Sequence, residues 1–455
     1  MKIIIKSYLP QSDVLTMRLL SKWLFTIVRS YPLSIIAKSF ERLEEINKMI
    51  HLQRITIGTL DYSYNSRKKL GDLSKVTHLL VGKKIPLNLP KSITNLSINA
   101  TANRIIPVIG KLPPTIRYLS LNFNFNDKPN VCIDFPTNLT QLVLENYNQG
   151  IDDLHLGLTH LTLKYGFNQP IDFLLGSSSL GCSSNLPQTL IHLTLGFDFN
   201  QPVDHLPSSL VYLKLGNRFN QPINYLPLGL LHLKLDTCFN HPIDHLPPNL
   251  LNLKLGYWFN QSLDHLPPNL RSLDLKDCSN FNNALSNLPQ SLLHLVLPRE
   301  FNKKVDNLPP NLRSLTFGRC FNQEVFYLPS TLITIRFGPY FNQPVDHLPP
   351  GLLHLYFDFS FNQRVDHLPP NLRTLQLGYK FDQPIDFLPF NLKDLTVCGD
   401  FEHRADFLPQ SLICLTFLER KTHLFTIHKS LTHFSTSNDP YPLIRWTSDA
   451  NWLRL

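Results

Sequence analysis

The stretch FNQPVDHLPSSLVYLKLGNR at residues 199–218 is followed without interruption by FNQPINYLPLGLLHLKLDTC at residues 219–238. Both begin with Phe-Asn-Gln-Pro, both contain a Leu-Pro pair, and both end in alternating leucines, so the chain repeats every twenty residues here. A period of this length is typical of a solenoid, in which each unit packs mainly against its two neighbours.

The same period can be followed through most of the chain. A phenylalanine followed by a polar residue recurs at Phe199, Phe219, Phe239, Phe259, Phe281, Phe301, Phe321, Phe341, Phe361, Phe381 and Phe401. Weaker copies extend back to Leu89, and a small-residue insertion at 176–184 interrupts one of them. The sequence therefore predicts an array over residues 73–420, with about sixteen turns.

Each unit predicts a short strand and an extended return. The residues Tyr212 to Leu215 alternate between outward and inward positions, which is the period of a β-strand. Pro207 and Pro222 frame the rest of the turn too closely for a helix, because proline lacks a backbone donor. The sequence predicts a β-rich, leucine-rich-repeat-like solenoid with one parallel sheet, a helix-free return side and an interior stack of phenylalanines.

Composition limits the classes of function. The chain of 455 residues has 43 lysines and arginines against 34 acidic residues, a formal charge of +9 that mildly favours acidic partners. Its start, Met1 to Lys6, is too short in apolar residues for a secretory signal. Charges interrupt the apolar stretch at 14–37, so it does not predict a membrane span. An intracellular location is expected, in the cytoplasm, or in the host's cytoplasm if the chain is viral.

The unit as a whole resembles the FNIP repeat, a relative of the leucine-rich repeat known from social amoebae and from giant viruses of amoebae. The string Phe-Asn-Gln-Pro-Val at 199–203 and 341–345 carries the resemblance most closely. The resemblance implies a protein-interaction solenoid and leaves the ligand open.

Residues 1–50 predict a small α-helical region, followed by a transition at 51–72. Leu9-Pro10, the leucines Leu15 and Leu19, and Trp23 are similar to the second half of an F-box. In that family these positions dock on a Skp-type adaptor of a cullin (SCF) ubiquitin ligase, and the trailing repeats recruit the substrate. The first F-box helix has no room before Tyr8, and a helical cap over the first repeat is the alternative. Residues 421–455 contain a decayed copy and predict a C-terminal cap.

Recurring Asp-His pairs, such as Asp204-His205 and Asp244-His245, precede Leu-Pro in several units. Their recurrence favours a role in the turn over metal binding, because aspartate bonds nearby backbone amides. No unique arrangement of nucleophile, base and acid is present, so no catalytic residue, metal or cofactor is predicted. The chain is predicted not to be an enzyme.

Variation at the outward strand positions predicts where a ligand binds. Three consecutive units place Tyr212 and Lys214, His232 and Lys234, and Asn252 and Lys254 on the outward side of the sheet. Stacked lysines repel one another, which favours a surface for an acidic protein ligand. An ordinary solvated face is the alternative.

With the F-box resemblance, which implies a ligase role, the leading expectation is a substrate-recruiting subunit of a ubiquitin ligase. The alternatives are a plain protein-binding or adhesion solenoid and, third, a binder of nucleic-acid phosphates. Binding of a phosphate backbone would weaken steeply with added salt.

Overall fold

A computed structural model of the chain describes residues 2–4, 34–37, 54–57, 78–81, 89, 91–99, 112–122, 134–151, 154, 156–171, 186–399, 401, 403, 407–417 and 433–436. The residues on which the adaptor hypothesis depends, Leu9, Pro10, Leu15, Leu19 and Trp23, lie outside these ranges. So do the insertion at 176–184 and most of the predicted C-terminal cap.

The structure divides into two units, Met1–Phe219 and Asn220–Leu455. The strands of the first unit are β1 Lys2–Ile4, β2 Ser34–Ala37, β3 Arg54–Ile57, β4 His78–Val81, β5 Asn95–Asn99, β6 Tyr118–Asn122, β7 Gln141–Glu145, β8 His160–Leu163, β9 His192–Leu195 and β10 Tyr212–Leu215. Those of the second are β11 His232–Leu235, β12 Asn252–Lys254, β13 Ser272–Asp274, β14 His294–Val296, β15 Ser314–Thr316, β16 Thr334–Arg336, β17 His354–Tyr356, β18 Thr374–Leu377, β19 Asp394–Val397, β20 Cys414–Phe417 and β21 His433–Thr436.

Within each unit the strands pair in parallel and in the register that the repeat predicts. Leu193 lies opposite Leu213 in the first unit, and Leu253 lies opposite Leu273 in the second. Sixteen described strands, β5 to β20, lie between Asn95 and Phe417, and the described part of the chain contains no helix. The predicted leucine-rich-type β-solenoid with a helix-free return side is confirmed.

Three strands precede residue 73, where the sequence placed the start of the repeats. Strands β1, β2 and β3 pair in parallel with one another in turn, and β3 pairs with β4. No Phe-Asn or Leu-Pro signature marks these strands, so the repeat period did not predict them. The helix expected near residues 13–23 falls between β1 and β2, outside the described residues, and the domain boundaries stay predictions.

The interior of the array is a stack of identical side chains. The inward leucines are buried, as are the phenylalanines of the column from Phe167 to Phe401, and the stacked rings of this column lie nearly parallel. In the second unit the Phe239 and Phe259 centroids are 6.2 Å apart, and those of Phe259 and Phe281 are 6.4 Å apart. These spacings lie within the range of favourable aromatic contact. The predicted phenylalanine stack, here called the Phe column, is therefore present.

An asparagine that follows the phenylalanine links one turn to the next in most of the Phe-Asn turns. Asn342 donates its backbone N–H to the Oδ1 atom of Asn322 at 2.9 Å, and its own Oδ1 accepts the N–H of Asn362 at 2.8 Å. Buried backbone groups need such partners, because leaving one unpaired costs free energy. The asparagine side chain thus provides a hydrogen-bond acceptor for a backbone N–H of the following turn.

A second aromatic stack reinforces the middle of the second unit. Phe317, Phe337 and Phe357 directly follow strands β15, β16 and β17, at a position where most other turns have a buried leucine, and their ring centroids are 4.9 and 5.4 Å apart. Each also contacts the Phe column, as Phe337 does with Phe341 at 3.8 Å. Two layers of packed aromatic rings therefore lie beneath strands β15, β16 and β17.

Candidate functional site

The outward side of the strands presents the residues that differ from turn to turn. Along strands β5 to β20 the inward residues are buried, and those on either side of the middle leucine or isoleucine are half-buried or exposed. The alternation follows from the pleat of a strand, which directs successive side chains to opposite faces. All six predicted binding residues lie on this outward side, which is named the strand face in each unit.

In the first unit the strand face carries a stack of rings. His192 lies between His160 and Tyr212, with centroids 5.4 and 3.9 Å away, and the rings are nearly parallel. Thr159 Oγ1 lies 2.9 Å from His160 Nδ1 and fixes the first ring. Lys214 lies beside Tyr212 on the same strand, opposite Thr194. The predicted Tyr212 therefore belongs to an aromatic row that begins two strands earlier.

In the second unit two of the predicted lysines lie among carboxylates. Lys234 and Lys254 are partners in register on β11 and β12. The ammonium of Lys254 is 3.1 Å from a carboxylate oxygen of Asp274 and 2.8 Å from one of Asp277, and that of Lys234 is 3.5 Å from Asp236. Most of the positive charge predicted here is therefore balanced within the chain.

The ion pairs also shift the ionisation of these groups. Burial lowers the pKa of Lys254, but hydrogen bonds to Asp277 and Asp274 outweigh burial and raise that pKa above its ordinary value. The hydrogen bond from Lys254 is the largest cause of the lowered pKa of Asp277. Asp277 lies in the turn that is two residues longer than the other turns between Phe199 and Phe401, so the regular period gave no sign of this pairing.

A different part of the strand face carries the excess of positive charge. This part consists of strands β14 to β18 with their flanking residues, namely 293–300, 313–320, 333–340, 353–360 and 373–380. It contains six cationic side chains and two carboxylates, a formal charge of +4. The equivalent segments of β11 to β13, 231–238, 251–258 and 271–280, contain four cations and three carboxylates, a charge of +1. Sequence reasoning missed this surface because its arginines occupy three different columns of the repeat.

Arginine and tyrosine side chains of this surface are stacked on each other. The guanidinium carbon of Arg336 on β16 lies 3.6 Å from the ring centroid of Tyr356 on β17. The guanidinium carbon of Arg319 lies 5.0 Å from the ring centroid of Tyr340, and its Nη2 donates a 2.8 Å hydrogen bond to that residue's hydroxyl. The name arginine–tyrosine face is used below for a set of six residues, Arg313, Arg319, Arg336, Tyr340, Tyr356 and Arg373.

Two of the recurring Asp-His pairs are connected between neighbouring turns, at the edge that carries Leu-Pro. His265 Nδ1 lies 3.2 Å from a carboxylate oxygen of Asp244 in the preceding turn, and both side chains are exposed. Within the described ranges, no group of three or more histidine, cysteine, aspartate or glutamate residues is placed to hold a metal ion. The geometry therefore favours the structural interpretation of these pairs.

The five thiols of the described residues form no disulfide, and three of them are poorly suited to nucleophilic chemistry. Burial raises the pKa of the Cys278 thiol, and burial also raises that of Cys398. A hydrogen bond to Glu300, 2.9 Å away, raises the pKa of Cys320. Because the thiolate is the reactive form, each shift reduces reactivity.

In the described part of the chain, no helix is both long and apolar enough to cross a membrane.

Comparison with known proteins finds a match to one repeat family and similarity to solved structures. The FNIP Repeat model matches residues 199–238, 239–278, 281–320, 301–340, 341–380 and 361–399. The chain is similar to CroV588, described as a novel circular LRR protein, with 28% identity and a TM-score of 0.56 over 89% of this chain and 74% of that one. YopM from Yersinia enterocolitica WA-314 matches with 19% identity and a TM-score of 0.35 over 87% of this chain and 93% of that one. No curated protein matches the chain.

Proposed function

We propose that this protein, which contains FNIP repeats, is a non-catalytic scaffold that binds a protein ligand on its strand face. A repeat solenoid of the leucine-rich type is suited to protein binding, because stacked turns build an extended surface from many short strands. The proposal places the protein inside the cell and assigns it no cofactor.

One observation carries the proposal: the outward residues of the strand face vary from turn to turn, whereas the inward residues that form the frame of the fold are nearly uniform. The middle inward position is leucine in all but one of the strands β5 to β20, with Ile335 as the exception, whereas the outward positions include histidine, tyrosine, lysine, arginine, aspartate and threonine. A uniform frame holds outward side chains at fixed spacing, so their variety creates a specific surface without altering the fold. Function is expected where the turns differ.

The position of the ligand can be tested by crosslinking from a single residue. A photoreactive residue in place of Thr316, on the strand face of β15, is expected to crosslink to a discrete protein partner in cells. The matched control places the same residue at Lys304, which is exposed on the return side. Crosslinks are identified by mass spectrometry. Partners that attach at Lys304 and not at Thr316 would contradict the proposal.

The finer part of the proposal is that the scaffold recruits substrates to a cullin-type ubiquitin ligase. The support is in the sequence of residues 7–28, where Leu9-Pro10 precedes the apolar-basic segment ending near Trp23. A plain protein-binding or adhesion solenoid is the alternative, in which the same segment caps the first turn and shields its strand edge.

The two roles of this segment forecast opposite results. If residues 7–28 dock on a Skp-type adaptor, replacing Leu9 and Pro10 by alanine is expected to abolish co-purification of the adaptor and leave urea unfolding of the repeats unchanged. Lys6→Ala, just outside the segment, is the control and keeps binding. If the segment is a cap, the intact chain retains no adaptor, and deletion of residues 1–50 lowers stability. Absence of adaptor binding by the intact chain ends the ligase proposal.

Lys214 on the strand face of the first unit, and Lys234 and Lys254 on that of the second, remain proposed binding residues. The carboxylates beside Lys234 and Lys254 make this part of the face a mixed surface, which suits a ligand that also carries both charges. Paired ammonium groups are poor partners for a phosphate backbone, because binding would first require the carboxylates to be displaced. The phosphate-binding alternative is correspondingly weaker.

A further inference from the structure

We propose that the arginine–tyrosine face binds an extended acidic peptide segment of a partner protein through carboxylates that contact Arg336 and its neighbouring arginines. The inference rests on the proposed function, because it names the chemical class of the ligand and the part of the strand face that receives it. It also moves the main contact away from the lysines on which the sequence reasoning concentrated.

Charge is the first reason. Salt bridges within the described residues engage Lys234 and Lys254, but none involves Arg299, Arg313, Arg319, Arg336, Arg373 or Lys380. Of the two carboxylates in these segments, Glu300 accepts a hydrogen bond from the thiol of Cys320. The local charge of +4 is therefore available to an anionic ligand.

The geometry of the arginines is the second reason. Because the guanidinium of Arg336 lies against the ring of Tyr356, its planar group is held in one orientation while its N–H edge stays free of carboxylates in the described part of the chain. A planar guanidinium presents paired N–H donors that match the two oxygens of a carboxylate. Stacking on tyrosine reduces the side-chain entropy that binding would otherwise remove.

Rigidity beneath the surface is the third reason. Arg336 and Tyr356 are each followed in the chain by a ring of the second aromatic stack, Phe337 and Phe357, and the backbone N–H of Phe337 donates to the carbonyl of Tyr356 at 2.9 Å. A surface held by two layers of packed rings keeps its shape before the ligand arrives. Preorganised arginine and tyrosine side chains are the residue types that dominate binding energy at protein interfaces.

The arrangement of the rings favours a peptide over a single-stranded nucleic acid. Nucleic-acid bases bind such surfaces by stacking on open aromatic faces. Here Arg336 covers one face of Tyr356 and Arg319 lies over Tyr340, while Phe359 and Tyr379 stack on each other with centroids 5.2 Å apart. One face of each of these rings is therefore covered within the chain, whereas the N–H edge of Arg336 remains available to a carboxylate.

The test measures binding of a fluorescently labelled oligoglutamate peptide to the full chain by anisotropy at low salt. A peptide of about ten residues, at ~3.3 Å per residue, is long enough to cross five strands spaced ~4.8 Å apart. Arg336→Ala is expected to weaken binding about tenfold, and Arg336→Lys to have an intermediate effect because lysine keeps the charge but loses the paired donors. An unchanged urea midpoint shows that each variant is folded.

Arg364→Ala is the matched control, because it removes the same charge from a residue of the return side that is paired with Asp366. Its binding is expected to stay within about twofold of the unchanged chain. Equal weakening in Arg336→Ala and Arg364→Ala overturns the inference, since net charge alone would then explain binding. Tighter binding of an oligothymidylate of equal charge, lost in Arg336→Ala, overturns it in favour of nucleic acid.

Failure of this inference and failure of the proposed function give different results. If no oligoglutamate binding is measured while the residue at Thr316 still crosslinks to a partner, the acidic-peptide inference is wrong and the scaffold proposal stands. If oligoglutamate binds at Arg336 but no protein crosslinks to the strand face in cells, the surface chemistry is supported and the scaffold proposal is not.

Discussion

Phe259→Ala is expected to lower the free energy of unfolding by about 3–5 kcal/mol. The ring is fully buried and stacks on Phe239 and Phe281, so its removal opens a cavity between two turns. The surrounding backbone is held by the sheet and cannot close that cavity completely. Urea unfolding followed by circular dichroism measures the loss.

Two further phenylalanines serve as controls for this substitution. Phe401 is equally buried but is the last member of the Phe column in the sequence, so Phe401→Ala is expected to cost less. Phe390 is 72% exposed, and Phe390→Ala is expected to change stability by no more than about 0.5 kcal/mol. Equal, small losses for Phe259→Ala and Phe401→Ala would show that the Phe column does not stabilise the array.

Gly378→Ala is expected to destabilise the second unit by about 1–3 kcal/mol through overpacking. A Cβ atom at this position would overlap the carbonyl oxygen of Asp358 in the preceding turn, and a backbone atom cannot move aside as a flexible side chain can. Asp358 is the equivalent residue one repeat earlier, so the repeat as such does not require glycine at this position. Glycine is required at 378 because of where the carbonyl oxygen of Asp358 lies.

Gly351→Ala is the matched control for the glycine substitution. A Cβ at Gly351 would lie 3.3 Å from the carbonyl oxygen of Ser330, and neighbouring turns carry Thr331 and Asn371 at the equivalent position. Stability is expected to change by no more than about 0.5 kcal/mol. A loss at Gly351 as large as that at Gly378 would show that the glycine effect comes from backbone freedom and not from the close approach of two turns.

The frame of the fold could be predicted from sequence because each turn repeats the same physical requirements. The alternating leucines predicted the strands, and the spacing of phenylalanines predicted the Phe column. Strands β1 to β3 could not be predicted in this way, because they pair within the same sheet without a Phe-Asn or Leu-Pro signature.

The surface was harder to predict, because charges act between turns and across columns. The lysines at 234 and 254 were visible in sequence, but their pairing with Asp236 and Asp277 depends on how the strand ends are placed. Arg336 and Tyr356 lie twenty residues apart and meet only because the strands are in register. A comparison of each outward residue with the residue one repeat later would have predicted this contact.

The asparagine bonds between turns have a consequence for how such a chain can change in length. A turn with this asparagine brings one side-chain acceptor for the turn that follows and one backbone donor for the turn before it, as Asn342 does. Gain or loss of a complete twenty-residue unit of this kind therefore keeps these donors matched with acceptors, whereas a partial unit leaves a mismatch. Duplication of whole units is the route by which this architecture can lengthen, and each new copy adds an outward strand on which mutations can accumulate without disturbing the fold.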